Sequence, residues 1–155
     1  MNFKRKIEPL QGLGKTMHLY SLECVNACTA KTGATVGYDT AGLLDITGTT
    51  PPAQMFLTYY GYDEIGHGPM ASDLNGEEGA HFSANMLTVL RGEGKVALHT
   101  DFVDSASGLS VGDTLTARGG KLYAAATGQY IHAVVAKAAA NNYIELEIGH
   151  YGVKS

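Results

Sequence analysis

Tryptophan is absent from this 155-residue sequence, proline occurs four times, cysteine twice, and only 17% of the residues are charged. So low a charge beside 45% apolar residues excludes a disordered polyelectrolyte, which lacks the apolar surface to build a core. Long apolar runs are missing as well. Gly, Thr or a charge interrupts each one well short of the roughly 20 residues that a bilayer-spanning helix needs, so the chain is expected to dissolve in water. No basic segment followed by an apolar stretch and a small-residue cleavage site opens it, which places its synthesis in the cytoplasm. The two cysteines, Cys24 and Cys28, stand in a C-x3-C spacing with no second Cys or His pair to answer them. That argues against a zinc site and for small apolar residues in a core, and a disulfide is not expected in a reducing compartment.

What the sequence does have is glycine, 20 residues of it, with Thr, Tyr and Val in short runs. Such a composition suits many short strands joined by tight turns, hence an all-β fold, a small β-barrel or β-sandwich. The length fits one domain of ordinary size. Its formal charge of −4 is uneven: Lys4, Arg5, Lys6, Lys15 and Lys31 outnumber Glu8 and Glu23 by three in residues 1–31, which leaves −7 for the remainder. A basic segment on an acidic body does not suit general nucleic-acid binding, because the body repels phosphates. Residues 1–16 hold the basic cluster, Pro9, Gly12 and Gly14 without a sustained period, and are expected to form an extended N-terminal arm that orders on a partner. Residues 17–155 are expected to form a single β-rich domain.

Along that domain, Met17 to Cys24 reads as a strand, with a short helix as the alternative. Residues 29–54, rich in Thr, Gly, Ala and Pro with few large apolar anchors, are the least readable part of the chain and fit either a long surface loop or part of the core. Met55 to Tyr60 is aromatic and β-branched enough for a strand, stopped by Gly66-His67-Gly68-Pro69. Further strands are expected at His81 to Leu90, Gly94 to Asp101, Asp113 to Ala117, Lys121 to Ala125, Ile131 to Ala138 and Tyr143 to Ile148. Gly119-Gly120 marks a hairpin turn and Asn141-Asn142 a second. The Ala-rich stretch Ala133 to Asn141 has a helical alternative.

Candidate chemistry is thin. Gly12-Leu13-Gly14-Lys15-Thr16 ends like a P-loop, but Pro9 stands where the first glycine belongs and no buried strand leads into it. The histidines His18, His67, His81, His99, His132 and His150 include no H-x-H or H-x3-H pair, so they read as solvent-facing or hydrogen-bonded side chains. The carboxylate pairs Asp63-Glu64, Glu77-Glu78 and Asp101 with Asp104 lie in or beside loops, and neighbours on an extended chain point apart. A G-x-S-x-G elbow is absent. The expectation is a protein without catalytic activity, cofactor or metal.

From about Glu77 to Gly149 the chain resembles the head decoration (cement) proteins of tailed bacteriophages. The segments that carry the resemblance are LTVLRGEGKVAL (Leu87 to Leu98), LSVGDTLTA (Leu109 to Ala117), GKLY (Gly120 to Tyr123), IHAVVA (Ile131 to Ala136) and YIELEI (Tyr143 to Ile148). In the second, Gly112 permits a tight turn and Asp113 is expected to accept bonds from N–H groups just beyond it. The resemblance implies a β-rich structural virion protein that binds the outside of the capsid, bridges major capsid protein subunits and needs neither nucleic acid nor membrane. A tail or neck component is the alternative, and a small β-barrel metal-binding enzyme a third. Lys4, Arg5 and Lys6 in the arm, with Phe56, Tyr59, Tyr60 and Tyr62, are the candidates for capsid or subunit contact, because interfaces favour aromatic residues. Open strand edges favour self-association, so a homo-oligomer, dimer or trimer, is expected. Deleting residues 1–16 is expected to leave a folded β domain that docks more weakly.

Overall fold

The computed structural model describes residues 5–25, 28–65 and 85–155. The chain is all-β, as its composition implies, and builds two sheets. One is six-stranded and wholly antiparallel, in the order β1 (Ile7–Gln11), β7 (Gly94–His99), β11 (Tyr143–Ile148), β10 (Ala133–Ala140), β8 (Thr114–Arg118) and β9 (Lys121–Ala124). The other is a closed barrel of β2 (Met17–Cys24), β4 (Leu44–Ile46), β3 (Thr35–Tyr38), β5 (Phe56–Tyr60) and β6 (Asn85–Gly92). A single turn of helix, α1 (Tyr62–Ile65), follows β5.

Two apolar clusters follow from this arrangement. The larger lies between the sheet and the outside of the barrel and includes Ile7, Val96, Leu98, Leu115, Leu122, Ile144 and Leu146 with Met17, Met55, Leu57 and Leu90. The smaller fills the barrel with Cys24, Cys28, Val36, Leu44, Phe56, Leu87 and Val89. Strands β5 and β6 are covered on both faces, with alternate residues serving alternate cores: Leu57 and Leu90 are register partners facing the sheet, while Phe56 and Val89 point into the barrel. Unbroken apolar character is what a doubly covered strand requires. By contrast β11 alternates, with Ile144, Leu146 and Ile148 inside and Glu145 and Glu147 on the other face.

Both expected hairpin turns form. Gly119 and Gly120 have φ of +60° and +83° between β8 and β9, and Asn141 and Asn142 have φ of +53° and +69° between β10 and β11. Two consecutive positive φ angles match the twist of a two-residue hairpin. Asn142→Gly is therefore expected to leave stability unchanged or slightly raised, whereas Asn142→Val should cost about 1–2 kcal/mol, a β-branched residue being poorly suited to this region. Chemical denaturation of the two variants checks it. The stretch from Ala133 is the strand β10, not a helix: Ala133 and Val135 pack in the core while Val134 pairs with Thr114 and Glu147.

Two expectations are corrected and one open reading is decided. Residues 1–16 are not an extended arm throughout: β1 pairs with β7 from Ile7↔Leu98 onward, and Ile7 is fully buried. An edge strand covered on one face needs few apolar residues, and an edge also tolerates Pro9. Ile7–Gln11 thus belong to the six-stranded sheet. Of the two readings open for residues 29–54 the core one holds, since β3 and β4 complete the barrel and Ala30, Ala34, Val36 and Leu44 are buried. Small side chains suit the interior of so narrow a barrel. Asp113 also bonds backwards, its carboxylate accepting the Ser110 N–H at 2.8 Å while Gly112 turns at φ +95°.

The two sheets are pinned together at the β8–β9 turn. Gly120 N–H donates to Thr47 Oγ1 at 2.9 Å, Thr35 N–H to Gly120 O at 3.0 Å and Gly119 N–H to Gly48 O at 3.0 Å, and the Thr35 and Thr47 hydroxyls meet at 2.6 Å. A second pin is His132, almost fully buried. Its Nδ1 accepts Ala117 N–H of β8 at 2.9 Å, and its Nε2 lies 2.7 Å from the Pro52 carbonyl between β4 and β5. Acceptor at one nitrogen and donor at the other is the neutral, Nε2-protonated ring.

Candidate interaction surface

Two of the sequence candidates are drawn together around a third. Arg5 enters just before β1, and the Tyr143 hydroxyl donates to its carbonyl at 2.8 Å. Its guanidinium lies 4.0 Å from the centroid of the Tyr59 ring and 4.6 Å from that of Tyr60. A planar cation over a π face is attracted by the ring quadrupole, and Arg5 Nη2 also donates to the Tyr59 carbonyl. The two tyrosine rings meet edge to face at 4.9 Å. Tyr59 leans on the larger core cluster, whereas Tyr60 and Tyr62 are 39% and 42% exposed.

The turn behind these aromatics is held by the segment that precedes β3. Tyr62 N–H donates to Ala30 O at 2.8 Å, Gly61 N–H to Thr32 Oγ1 at 3.1 Å, and Thr32 N–H to the Asp63 carboxylate at 2.7 Å. A Cβ on Gly61 would stand 2.5 Å from backbone atoms of Ala30, Lys31 and Thr32, so only glycine fits there. Asp63 is thereby a turn residue whose carboxylate serves local structure.

Lys6 continues the surface on the other side of Arg5. It pairs with Asp101 at 3.0 Å, and this contact holds the Asp101 carboxyl below the usual carboxylate range, slight burial opposing and the charges of His99 and Lys6 assisting. His99 Nδ1 accepts Asp101 N–H at 3.0 Å, and its ring stands edge-on to Tyr143 at 5.2 Å. Contacts therefore run from Tyr60 through Arg5, Tyr143 and His99 to Asp101 and Lys6. Such a row offers π faces, hydroxyls and paired charges, which is the chemistry of contact with another surface.

Phe56 does not belong to this surface. It is 1% exposed inside the barrel, packed edge to face on Tyr38 at 5.4 Å. Alternation along β5 turns it inward when Leu57 faces the sheet, so this contact candidate is a core residue. Lys4, His67, His81, Glu77 and Glu78 lie outside the described residues. Gly12 to Thr16 makes no phosphate cradle: the Gly12 carbonyl gathers the N–H groups of Lys15, Thr16 and Met17, and a strand, not a helix, follows. Among the described residues no three of His, Cys, Asp and Glu are grouped to hold a metal ion.

Comparison with family models, curated proteins and solved structures finds no match. The surface therefore has to be read from its own chemistry and from the segments quoted above. Sequence reasoning singled out Arg5, Tyr59 and Tyr60 as candidates from charge and aromaticity alone, without their meeting in space. It did not find His99 or Tyr143 beside them, because the antiparallel pairing of β7 with β11 joins residues 44 positions apart. It also did not find that His132 is a buried pin, although a lone histidine leading into Ala133-Val134-Val135 was the available signal.

Proposed function

We propose that this protein is a structural component of a tailed-phage virion that docks on the outside of the capsid and bridges major capsid protein subunits, without catalysing a reaction. The observation that carries the reading is the resemblance over residues 77–149. Its quoted segments fall in unbroken order on β6 to β11, the last strand of the barrel and five of the six strands of the sheet. The Arg5, Tyr60 and Tyr62 surface supports it, since aromatic and arginine side chains on a rigid base lose little freedom on docking and dominate many interfaces. Cement proteins strengthen a shell by burying area across several neighbours, and a homo-oligomer on the capsid would multiply that area by avidity.

Co-sedimentation with capsid shells tests the reading. The protein should pellet with shells built from major capsid protein and raise their disruption temperature. Tyr60→Ser with Arg5→Ala should weaken binding about tenfold, roughly 1.4 kcal/mol, and raised salt should weaken it in the same direction. Failure to bind such shells at low as well as moderate salt would overturn the proposal. Sedimentation of the free and shell-bound protein reads its oligomeric state.

A further inference from the structure

One side of β2 is fully paired and the other is not. The strand runs antiparallel to β6 without a register shift, from Met17↔Gly92 to Cys24↔Asn85. On its other side the barrel closes through the single pair Cys24↔Leu44. Main-chain groups of successive residues in a strand point to alternate sides, and recorded bonds fix which residues point where. Thr16 O receives Glu93 N–H at 2.9 Å, continuing the ladder, so His18, Tyr20 and Leu22 face β6. Met17 faces away from β6, its N–H donating to Gly12 O at 2.9 Å and its carbonyl receiving Gly14 N–H at 2.8 Å, and Val25 N–H likewise donates away, to Leu44 O at 2.9 Å. Leu19, Ser21 and Glu23 share that side. Among the described residues, the main-chain N–H and C=O of these three have no hydrogen-bond partner.

The same stretch is bare on its faces. Leu19 and Tyr20 are each 41% exposed, although their register partners Leu90 and Val89 are buried. Met17 and Cys24 at the two ends are buried as well. A strand anchored at both ends and uncovered between them, with free main-chain groups and apolar side chains, is a template for another strand. The ends also decide what fits. The turn from Gly12 to Gly14 occupies the open side at Met17, and the chain at Leu44 occupies it at Cys24 and Val25. A second copy laid antiparallel with Ser21 opposite Ser21, the register that bonds Leu19 to Glu23, would drive Met17 and its turn into Val25 and Leu44 of the other copy. Only a short segment, free to bend away beyond Leu19 and beyond Glu23, can enter.

We propose that Leu19 to Glu23 is a strand-addition site that takes a short extended peptide segment of a partner protein, antiparallel to β2. Antiparallel pairing is the more stable per residue, main-chain bonds supply the affinity, and alternate side chains supply the selectivity. The guest residue opposite Glu23 is cationic, because Glu23 is exposed and makes no ion pair among the described residues. Guest residues opposite Leu22 and Tyr20 are apolar, to cover a half-buried leucine and a tyrosine ring whose other contact is the Arg91 guanidinium at 5.6 Å. A free peptide suffices as the probe, so the outcome is separate from that of shell binding.

The test is amide hydrogen exchange of the full chain, followed by NMR, with and without a blocked peptide of sequence lysine-valine-threonine-valine-isoleucine at millimolar concentration. Without peptide, the amides of His18, Tyr20 and Leu22 should exchange slowly and those of Leu19, Ser21 and Glu23 fast; with it, the second set should slow several-fold. N-methylation of the peptide at threonine, whose N–H faces Ser21, should weaken binding about tenfold, whereas N-methylation at the first valine, whose N–H points away, should change it little. Ser21→Pro removes an N–H that bonds nothing within the described chain, in the orientation that edge strands accept, so the variant should stay folded and bind about tenfold more weakly. The methylated peptides decide on the wild-type protein even if that variant fails to fold. Equal weakening by the two methylations, no slowing at Leu19, Ser21 and Glu23, or a folded Ser21→Pro variant that binds like the wild type would overturn the proposal. So would slow exchange of those three amides without peptide, which in a dimer would assign the edge to a second copy.

Discussion

Gly92→Ala should unfold at a much lower denaturant concentration than the wild-type protein, with a loss of about 3–5 kcal/mol. Gly92 closes β6 where the chain leaves the barrel for β7 of the sheet. The same place is crossed in the opposite direction by Gly12 to Thr16, leading from β1 into β2. The crossings are tied by Glu93 N–H donating to Thr16 O at 2.9 Å and the Thr16 hydroxyl to Glu93 O at 2.6 Å. At Gly92 φ is +115°, beyond the left-handed well that other residues enter, and a Cβ would stand 2.1 Å from Thr16 O and 3.1 Å from Met17 Cα. These are backbone atoms of a loop fixed by three bonds to the Gly12 carbonyl, so they cannot swing aside as a side chain would. Backbone strain accounts for roughly 1–3 kcal/mol, and forcing two crossings apart adds an overpacking cost of similar size. Gly112→Ala is the control: φ is +95° there, yet nothing lies within 4 Å of an added Cβ, so strain alone applies. Equal losses in the two variants would mean that the crossing carries no special constraint.

Mild acid should weaken the fold through His132. Burial holds its pKa below the ordinary 6.5, the nearby His150 acting in the same sense and the Pro52 carbonyl opposing. A depressed histidine favours the neutral folded ring, so its contribution is complete above the unfolded value near 6.5. As pH falls through that value the unfolded chain takes up a proton that the folded chain refuses. Stability then drops by at most about 1.4 kcal/mol per pH unit until the lower, folded pKa is reached. Below that point protonation of Nδ1 removes the acceptor for Ala117 N–H and sets two donors face to face. His132→Leu should abolish this component of the pH dependence. It should also cost about 2–4 kcal/mol at neutral pH, because Ala117 N–H and Pro52 C=O are left buried without the ring. Denaturation curves for both proteins between about pH 7 and pH 5 check the two parts separately. A leucine variant with the same acid sensitivity as the wild type would assign the effect elsewhere.

How far the strands could be read from residues depended on what each strand faces. β11 alternates because one face is covered, whereas Phe56-Leu57-Thr58 of β5 shows no alternation because both are, so each carries a local pattern. β1 has a single deeply buried side chain, Ile7, among Glu8, Pro9, Leu10 and Gln11, and that is too few for any period to show. β3 and β4 are four and three residues long, shorter than an alternation needs to be recognised, and the Thr and Gly of β3 suit a tight interior as well as a loop. The cluster of Arg5 with Tyr59 and Tyr60 was partly legible for a related reason. A run of tyrosines beside a basic segment is a property of neighbours along the chain, whereas the meeting of Arg5 with residues 59 and 60 is a property of the fold.

The amino-acid sequence by itself determined the all-β class, the eight strands from β2 and from β5 to β11, the hairpins at Gly119-Gly120 and Asn141-Asn142, and the presence of aromatic and basic contact candidates. Each of these rests on local physics: the two-residue period of a strand, the angles that only glycine and asparagine accept readily, and the charge of adjacent side chains. Tertiary structure alone decided that there are two sheets with two cores. It also decided that β1 belongs to one of them, that Phe56 points inward while Arg5 lies over Tyr59 and Tyr60, and that His132 is buried. Those outcomes depend on pairings between residues tens of positions apart, such as Ile7 with Leu98 and His132 with Pro52. Such pairings are chosen by the summed burial and hydrogen bonding of the whole chain, so no short stretch of it carries them.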